Sequence, residues 1–338
     1  MNANDSRYTR FSLCREMLDT VEVVENFDPD RTKSAAGAIA RRGRLLLTGE
    51  GSSRIFPAKN AVRKGLTWGA DLWITTEGSR QAATYDLSDF AVFGASNSGR
   101  TAEVIAVLRQ LEDAGNPHRY GLTANRDTVL ERHAEETFVL TCGWENAVAA
   151  TKSVAEQALV YQSVVSHVAG RDMAVDLAGA SECIHTALTS AIDPRIIEAL
   201  LQAPTIYFAG YNDGVAEELT LKTNEITRRK SDYLEGTYAV HGIEEVMDPR
   251  DVVVVVDPIE AEFEKFEQVL VDGVGLTVVA ISTVDTPFLD VRVPDAGEMN
   301  PFVQLAAGWN LLVEVGLALD IDLDKAERAR KVGNEVTG

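Results

Sequence analysis

The run Phe90 to Gly94 reads as a buried strand and passes straight into Ser96-Asn97-Ser98-Gly99-Arg100-Thr101, after which Val104, Ile105, Val107, Leu108 and Leu111 recur at helical spacing. A strand that turns at once into an amphipathic helix is the repeating element of a parallel α/β sheet, because parallel strands need a crossover and a helix supplies it. The turn is also a cradle for an anion. Ser96, Ser98 and Thr101 bring hydroxyls to one point, and the free N–H groups of the first helical turn favour negative charge there. Taken alone, the turn is equally well explained as an ordinary serine N-cap on a surface loop.

A second turn of the same make tips the balance. Leu45 to Thr48 reads as another buried strand, followed directly by Gly49-Glu50-Gly51-Ser52-Ser53 and an amphipathic run from Ile55 to Val62. Two such turns belong at the carboxyl ends of parallel strands, the edge where open α/β sheets bind ligands. The Gly49-x-Gly51 spacing does not complete the G-x-G-x-x-G dinucleotide fingerprint, so a nicotinamide cofactor is not expected.

The same architecture occurs twice along the chain. An amphipathic lead from Phe11 to Arg42 precedes strands near Leu45–Thr48, Asp71–Ile74, Phe90–Gly94, Tyr120–Thr123 and Glu136–Leu140, with helical patterns between them. A long helix is expected from Val148 to Val168, and a connecting helix from Val175 to Ile192. The second half opens with Thr205 to Gly210, again a strand into a glycine turn, then a helix from Gly214 to Arg229. Strands near Val252–Val256, Leu276–Ile281 and Val291 follow, and a helix from Phe302 to Leu319 closes the unit. The expected fold class is therefore α/β, with two tandem sandwiches built on mostly parallel sheets.

Composition sets the remaining bounds. The 338 residues allow one large or two ordinary domains, and 45% hydrophobic content can bury sizeable cores. A formal net charge of −20 argues against nucleic acid or anionic membrane as general partners. A phosphorylated ligand must then be attracted by local N–H groups and hydroxyls. Cys14, Cys142 and Cys183 lack C-x-x-C spacing and read as reduced thiols, neither a disulfide framework nor a metal site. The first residues, with Asp5, Arg7, Arg10 and Glu16, form no apolar signal core, and no run is expected to span a membrane, so a cytoplasmic protein is expected.

Three segments carry a family resemblance. Gly49-Glu50-Gly51-Ser52-Ser53, Ser96 to Thr101, and Glu145-Asn146-Ala147-Val148-Ala149-Ala150-Thr151-Lys152 stand in the order and spacing of the sugar isomerase (SIS) family. They resemble the isomerase half of glucosamine-6-phosphate synthase and, around Val148 to Ser153, the SIS-type glucosamine-6-phosphate deaminases. The resemblance covers nearly the whole chain from about residue 30 and implies two SIS-type three-layer α/β/α sandwiches. On that basis residues 1–42 form a helical lead, 43–172 a first domain with the phosphate loops, 173–325 a second domain with a catalytic Glu and His, and 326–338 a tail.

The resemblance also assigns roles. Ser52, Ser53, Ser96, Asn97, Ser98 and Thr101 would hold the phosphate of a sugar phosphate, Val148 would offer backbone contacts to the sugar, and Glu145 would lie near the sugar hydroxyls. Glu218, Lys222 and Glu225 fall at i, i+4 and i+7 on one helix face, a pattern that a solvated salt-bridged face explains equally well. In the family, a Glu at the position of Glu225 moves a proton between C1 and C2. A His sixteen positions later, here His241, opens the sugar ring. Lys222 and Lys331 match further family lysines, and the tail aligns with a segment that folds over the sugar. The chain departs from the pattern at Ile243, Ala150 and Ala326-Glu327, where relatives carry Pro, Ser (in the synthases) and Pro-Arg.

The chemistry explains why such a pair is needed. An aldose and its ketose interconvert through a cis-enediol, or an enediolamine when C2 carries nitrogen, so one base must remove and return a proton on a single face. A carboxylate shielded from water suits this task, and a His with a pKa of about 6.5 can both donate and accept during ring opening. The expectation is a phosphosugar aldose–ketose isomerase or isomerase/deaminase acting on an amino-sugar 6-phosphate, without metal or organic cofactor. It would work as a homodimer with sites shared between subunits. The glutaminase half of the synthases has no counterpart in the sequence, so ammonia is not expected from glutamine. A deglycase for fructosamine 6-phosphates and a non-catalytic sugar-phosphate sensor are the alternatives.

Overall fold

The structure is a computed structural model that describes residues 1–330 and 334–336. The chain forms two compact units. One comprises Glu22–Glu145, Ala150–Leu177 and the stretch from Glu327; the other comprises Met1–Val21, Asn146–Ala149 and Ala178–Ala326.

The first unit is built on β1 (Arg44–Gly49), β2 (Trp73–Gly78), β3 (Ala91–Ala95), β4 (Arg119–Thr123) and β5 (Glu136–Val139), in the order β2-β1-β3-β4-β5. Every pairing is parallel. The central strands are apolar without alternation because both faces are covered; all five residues of β3 are buried. Phe93 anchors the middle, stacked on Tyr120 at 4.9 Å between ring centroids and met edge-on by Tyr161 at 5.3 Å. Tyr161 belongs to the helix Lys152–Ala169, which is buried along almost its whole length and ends at Gly170 in the left-handed conformation.

The second unit repeats the plan with β6 (Ile206–Gly210), β7 (Ser231–Glu235), β8 (Val252–Val256), β9 (Thr277–Ser282) and β10 (Leu289–Arg292), in the order β10-β9-β8-β6-β7. These pairings too are all parallel. Numbered from its own first strand, this sheet has the strand order of the first. The α/β expectation with parallel sheets therefore holds in both units.

Some expected elements moved. The long helix starts at Lys152 rather than Val148, leaving Val148 in an irregular segment. The connecting helix is broken into Met173–Leu177 and Ala180–Thr189. A further helix, Pro194–Gln202, the edge strand β7 and a π-helical stretch Glu267–Val274 were not anticipated. The run Gly297–Ala318 also corrects the reading of hydropathy: it is long and apolar enough to cross a bilayer, but most of it is buried. Its helix Asn300–Ala318 packs against Ala180–Thr189 and Val215–Thr227, so its apolarity serves a core.

The lead helix Ser12–Glu25 buries Leu13, Cys14 and Met17 completely. Its start is capped from far along the chain, since the backbone N–H groups of Ser12 and Leu13 each donate to the Asp324 carboxylate at 2.8 Å.

Candidate functional site

In the first unit the strand order reverses between β1 and β3, which puts the two glycine and serine turns side by side at the carboxyl edge of the sheet. Residues Gly51–Ser53 make a single 3₁₀ turn ahead of the helix Ile55–Thr67, with Ser52 and Ser53 half-buried. Glycine at 49 suits this approach, because a Cβ there would stand a tight 3.1 Å from the Ala95 carbonyl oxygen.

The second turn is held by its own hydroxyls. Ser96, buried, meets Thr101 Oγ1 at 2.8 Å and accepts the Thr101 N–H at 3.3 Å; Ser98 Oγ accepts the Arg100 N–H at 3.2 Å. Gly99 turns the chain with φ 62°, donates to the Ser96 carbonyl at 2.9 Å, and could not carry a Cβ without meeting Thr128 at 2.4 Å. The Asn97 and Ser98 N–H groups have no acceptor among the described residues, so the turn keeps two backbone donors open beside three hydroxyls. Residues 334–336 run antiparallel past its exit, where Ala102 donates to the Asn334 carbonyl at 3.1 Å and Val336 to that of Arg100 at 2.9 Å.

Asn97 and Glu145 are drawn together here, and both are structurally engaged. The Asn97 amide donates to Ser153 Oγ at 2.5 Å and to Glu145 at 3.4 Å, and accepts from Gln157 at 2.7 Å. Glu145, only 3% exposed, accepts the Thr151 N–H at 2.7 Å and bonds the Ser153 hydroxyl, which caps the start of the helix Lys152–Ala169. Glu156, one turn further on, takes the N–H groups of Thr141 and Cys142 at 2.8 and 2.7 Å and an ion pair from Arg31 at 3.2 Å. It thus anchors the loop leading to Glu145. Burial, followed by the Glu156 charge, pushes the Cys142 thiol far above its ordinary pKa, so it stays protonated.

The second unit carries the acid–base candidates on the helix Val215–Thr227. Lys222 is fully buried between Glu218, 3.2 Å away, and Glu225, 2.7 Å away. Burial alone would lower its pKa, but the Glu225 and Glu218 carboxylates outweigh it and hold the ammonium above its ordinary range. Glu218 is inaccessible, whereas the Glu225 side chain is 27% exposed, so one end of the triad reaches solvent. The helix ends at Arg228 in the left-handed conformation, with its guanidinium donating to the Lys325 carbonyl at 3.1 Å.

His241 is exposed, and its ring nitrogen lies 3.3 Å from Lys265 Nζ. The structure brings Lys222 and Glu225 together but does not bond His241 to either. Lys331 lies outside the described residues. Among the described residues there is no cluster of ligands suited to a metal ion. The residues that sequence reasoning missed are Ser153, Gln157, Glu156 and Lys265. The first two sit at i and i+4 on the helix face turned to Asn97, a spacing that was legible but pointed nowhere without the loop in place.

No family model matches the chain. It is 28% identical over 336 residues to the glutamine–fructose-6-phosphate aminotransferase (isomerizing) of Aeropyrum pernix, an alignment covering 89% of this chain and 53% of that protein. The chain thus spans about half the length of that curated relative. Among solved structures, the glucosamine-6-phosphate deaminase of Thermotoga maritima superposes with a TM-score of 0.73 at 18% identity, over 97% of this chain and 99% of that one. The tagatose-6-phosphate ketose/aldose isomerase of Escherichia coli gives 0.76 at 16% identity, over 96% and 99%. These likenesses match the resemblance carried by the three segments.

Proposed function

We propose that this chain is a sugar isomerase (SIS) family enzyme, built of two three-layer α/β/α sandwiches, that acts on a sugar phosphate as an aldose–ketose isomerase or isomerase/deaminase. The named activities of its relative and of the two solved structures all concern hexose 6-phosphates or their amino derivatives, and an amino-sugar 6-phosphate is the substrate class we favour. The observation that carries the reading is the turn at Ser96, where the Ser96 hydroxyl lies 3.5 Å from that of Ser98 and 2.8 Å from that of Thr101, beside two backbone N–H groups without an acceptor among the described residues, at a strand-order reversal.

In this reading Ser52, Ser53, Ser96, Ser98 and Thr101 hold the phosphate. Asn97 contributes its N–H while its side chain fixes the turn to the Glu145 cap. Val148 offers its backbone to the sugar. Glu225 moves the proton between C1 and C2, and Lys222, 2.7 Å away, aims it. The role of Glu218 follows from burial: it neutralises Lys222 from the far side, so Glu225 need not bear the ammonium alone. His241, with Lys265 beside it, serves ring opening, and its exposed loop suits work at a neighbouring subunit of a cytoplasmic homodimer. Lys331 is assigned to the same site. No metal or organic cofactor enters this reading, because the proton transfers need only these side chains.

The test is a panel of amino-sugar and ketose 6-phosphates, with ammonia and ketose assayed separately. Ammonia together with ketose formed from an amino sugar identifies a deaminase, and conversion of a ketose to its aldose without ammonia identifies an isomerase. A panel in which sugar phosphates bind but none turns over would overturn the enzymatic reading in favour of a sensor.

A further inference from the structure

Glu16 sits in the middle of the lead helix, only 4% exposed, at a position where local packing would favour an apolar residue. A buried carboxylate is costly unless it is fully hydrogen-bonded. Its two oxygens are used on two consecutive backbone amides: Oε1 accepts the N–H of Asn146, and Oε2 that of Ala147 at 3.2 Å. Two successive N–H groups held by one carboxylate fix the orientation of both peptide planes, and so the direction in which the chain enters Val148. One turn earlier, Asp324 holds the start of the same helix through Ser12 and Leu13.

We infer that Glu16 is a positioning residue for sugar recognition. It sets the backbone at Val148 for the sugar moiety, and Asp324 holds Glu16 in place by capping its helix. The inference rests on the sugar-phosphate reading above and extends it to a helix that carries none of the motifs. It separates two kinds of recognition, because the Glu16 carboxylate holds the Asn146 and Ala147 N–H groups whereas the Ser96 turn is held by its own hydroxyls. Loss of Glu16 should impair binding of the sugar and spare binding of the phosphate.

The experiment compares the full-length protein with Glu16→Gln, Glu16→Ala and Asp324→Ala, titrated by calorimetry with fructose 6-phosphate and, separately, with inorganic phosphate. Glu16→Gln keeps the shape but turns an NH₂ toward one of the two N–H groups, so it reports even if Glu16→Ala does not fold. Fructose 6-phosphate affinity should fall by about tenfold in the Glu16 variants and by less in Asp324→Ala, as expected for losing a charge-assisted bond. Affinity for inorganic phosphate should stay within about twofold in all three. Hydrogen exchange at Asn146 and Ala147 should accelerate at least about tenfold in the Glu16 variants. If the wild type binds inorganic phosphate but no sugar phosphate, the functional reading fails, while the exchange rates still decide the anchoring role. If the wild type binds fructose 6-phosphate and Glu16→Gln matches it in affinity and exchange, Glu16 has no positioning role. Equal loss for both ligands would make Glu16 a general stability residue and overturn the inference as well.

Discussion

Leu219 lies over Gly308 so closely that a Cβ on residue 308 would stand 2.3 Å from its Cδ2. The contact seats the helix Val215–Thr227, which carries Lys222 and Glu225, directly on the backbone of Asn300–Ala318. Gly308→Ala should therefore push the helices apart and cost about 1–3 kcal/mol by overpacking. Urea unfolding will measure it; an unchanged midpoint would mean that Leu219 swings clear without cost.

The Ser96 turn makes a prediction about binding alone. Ser96→Ala with Ser98→Ala removes two hydroxyls, each worth about 1.5–3 kcal/mol when it bonds a charged group. Sugar-phosphate affinity should weaken at least about tenfold, while the fold, which rests on Phe93 and the helices, persists. Calorimetry on the folded double variant checks this, and full affinity would remove the turn from the site.

Glu225→Gln separates binding from chemistry. The variant should bind ligand nearly as well as the wild type and lose turnover by about 100-fold or more. Lys222 keeps its partner Glu218, so stability should change little. Proton exchange at C2 of the sugar in deuterated water should vanish with turnover; exchange at the wild-type rate would assign the base elsewhere.

Alkaline pH gives a test within the second unit. Tyr8 donates to Glu314 at 2.6 Å, and burial, then that hydrogen bond, raises its pKa from 10.0 to about 12. The folded state thus holds the phenolic proton more tightly than the unfolded chain. The stabilisation it contributes is intact below about pH 10 and is lost as pH rises toward and past about 12. Tyr8→Phe should be less stable at neutral pH and show a shallower decline across that window. Equal slopes for the two proteins in chemical denaturation at pH 9.5 to 12 would show that Tyr8 is not the group responsible.

The sequence made the sheets legible where apolar runs meet glycine turns. The five valines of β8 could be nothing but a covered strand, and its bounds match the expectation residue for residue. It was silent on β7, Ser231-Asp232-Tyr233-Leu234-Glu235, because a sheet-edge strand buries little and only Leu234 is fully covered. The Ser96 turn was legible as a shape, since its hydroxyls and glycine are adjacent in sequence. The attachments of Glu16, Asp324 and Glu156 were not, because each bonds backbone N–H groups distant in sequence and carries no signature of its target. The Lys222 triad lay between these cases: the i, i+4, i+7 spacing placed its members on one face, but only burial distinguishes a dry ion triad from a solvated one.

The capping of the lead helix by Asp324 has a consequence for synthesis on the ribosome. Leu13, Cys14 and Met17 are made early relative to Asp324, the carboxylate that closes their helix, which is added more than three hundred residues later. At 5–20 residues per second that interval is roughly 15–60 s. Throughout it, an amphipathic segment waits without its native partner. The first sheet can close on nascent chain already made, whereas the second unit is completed only once the segment through Asp324 has been added. This is the interval in which a chaperone that holds apolar helices would matter to the yield of native protein.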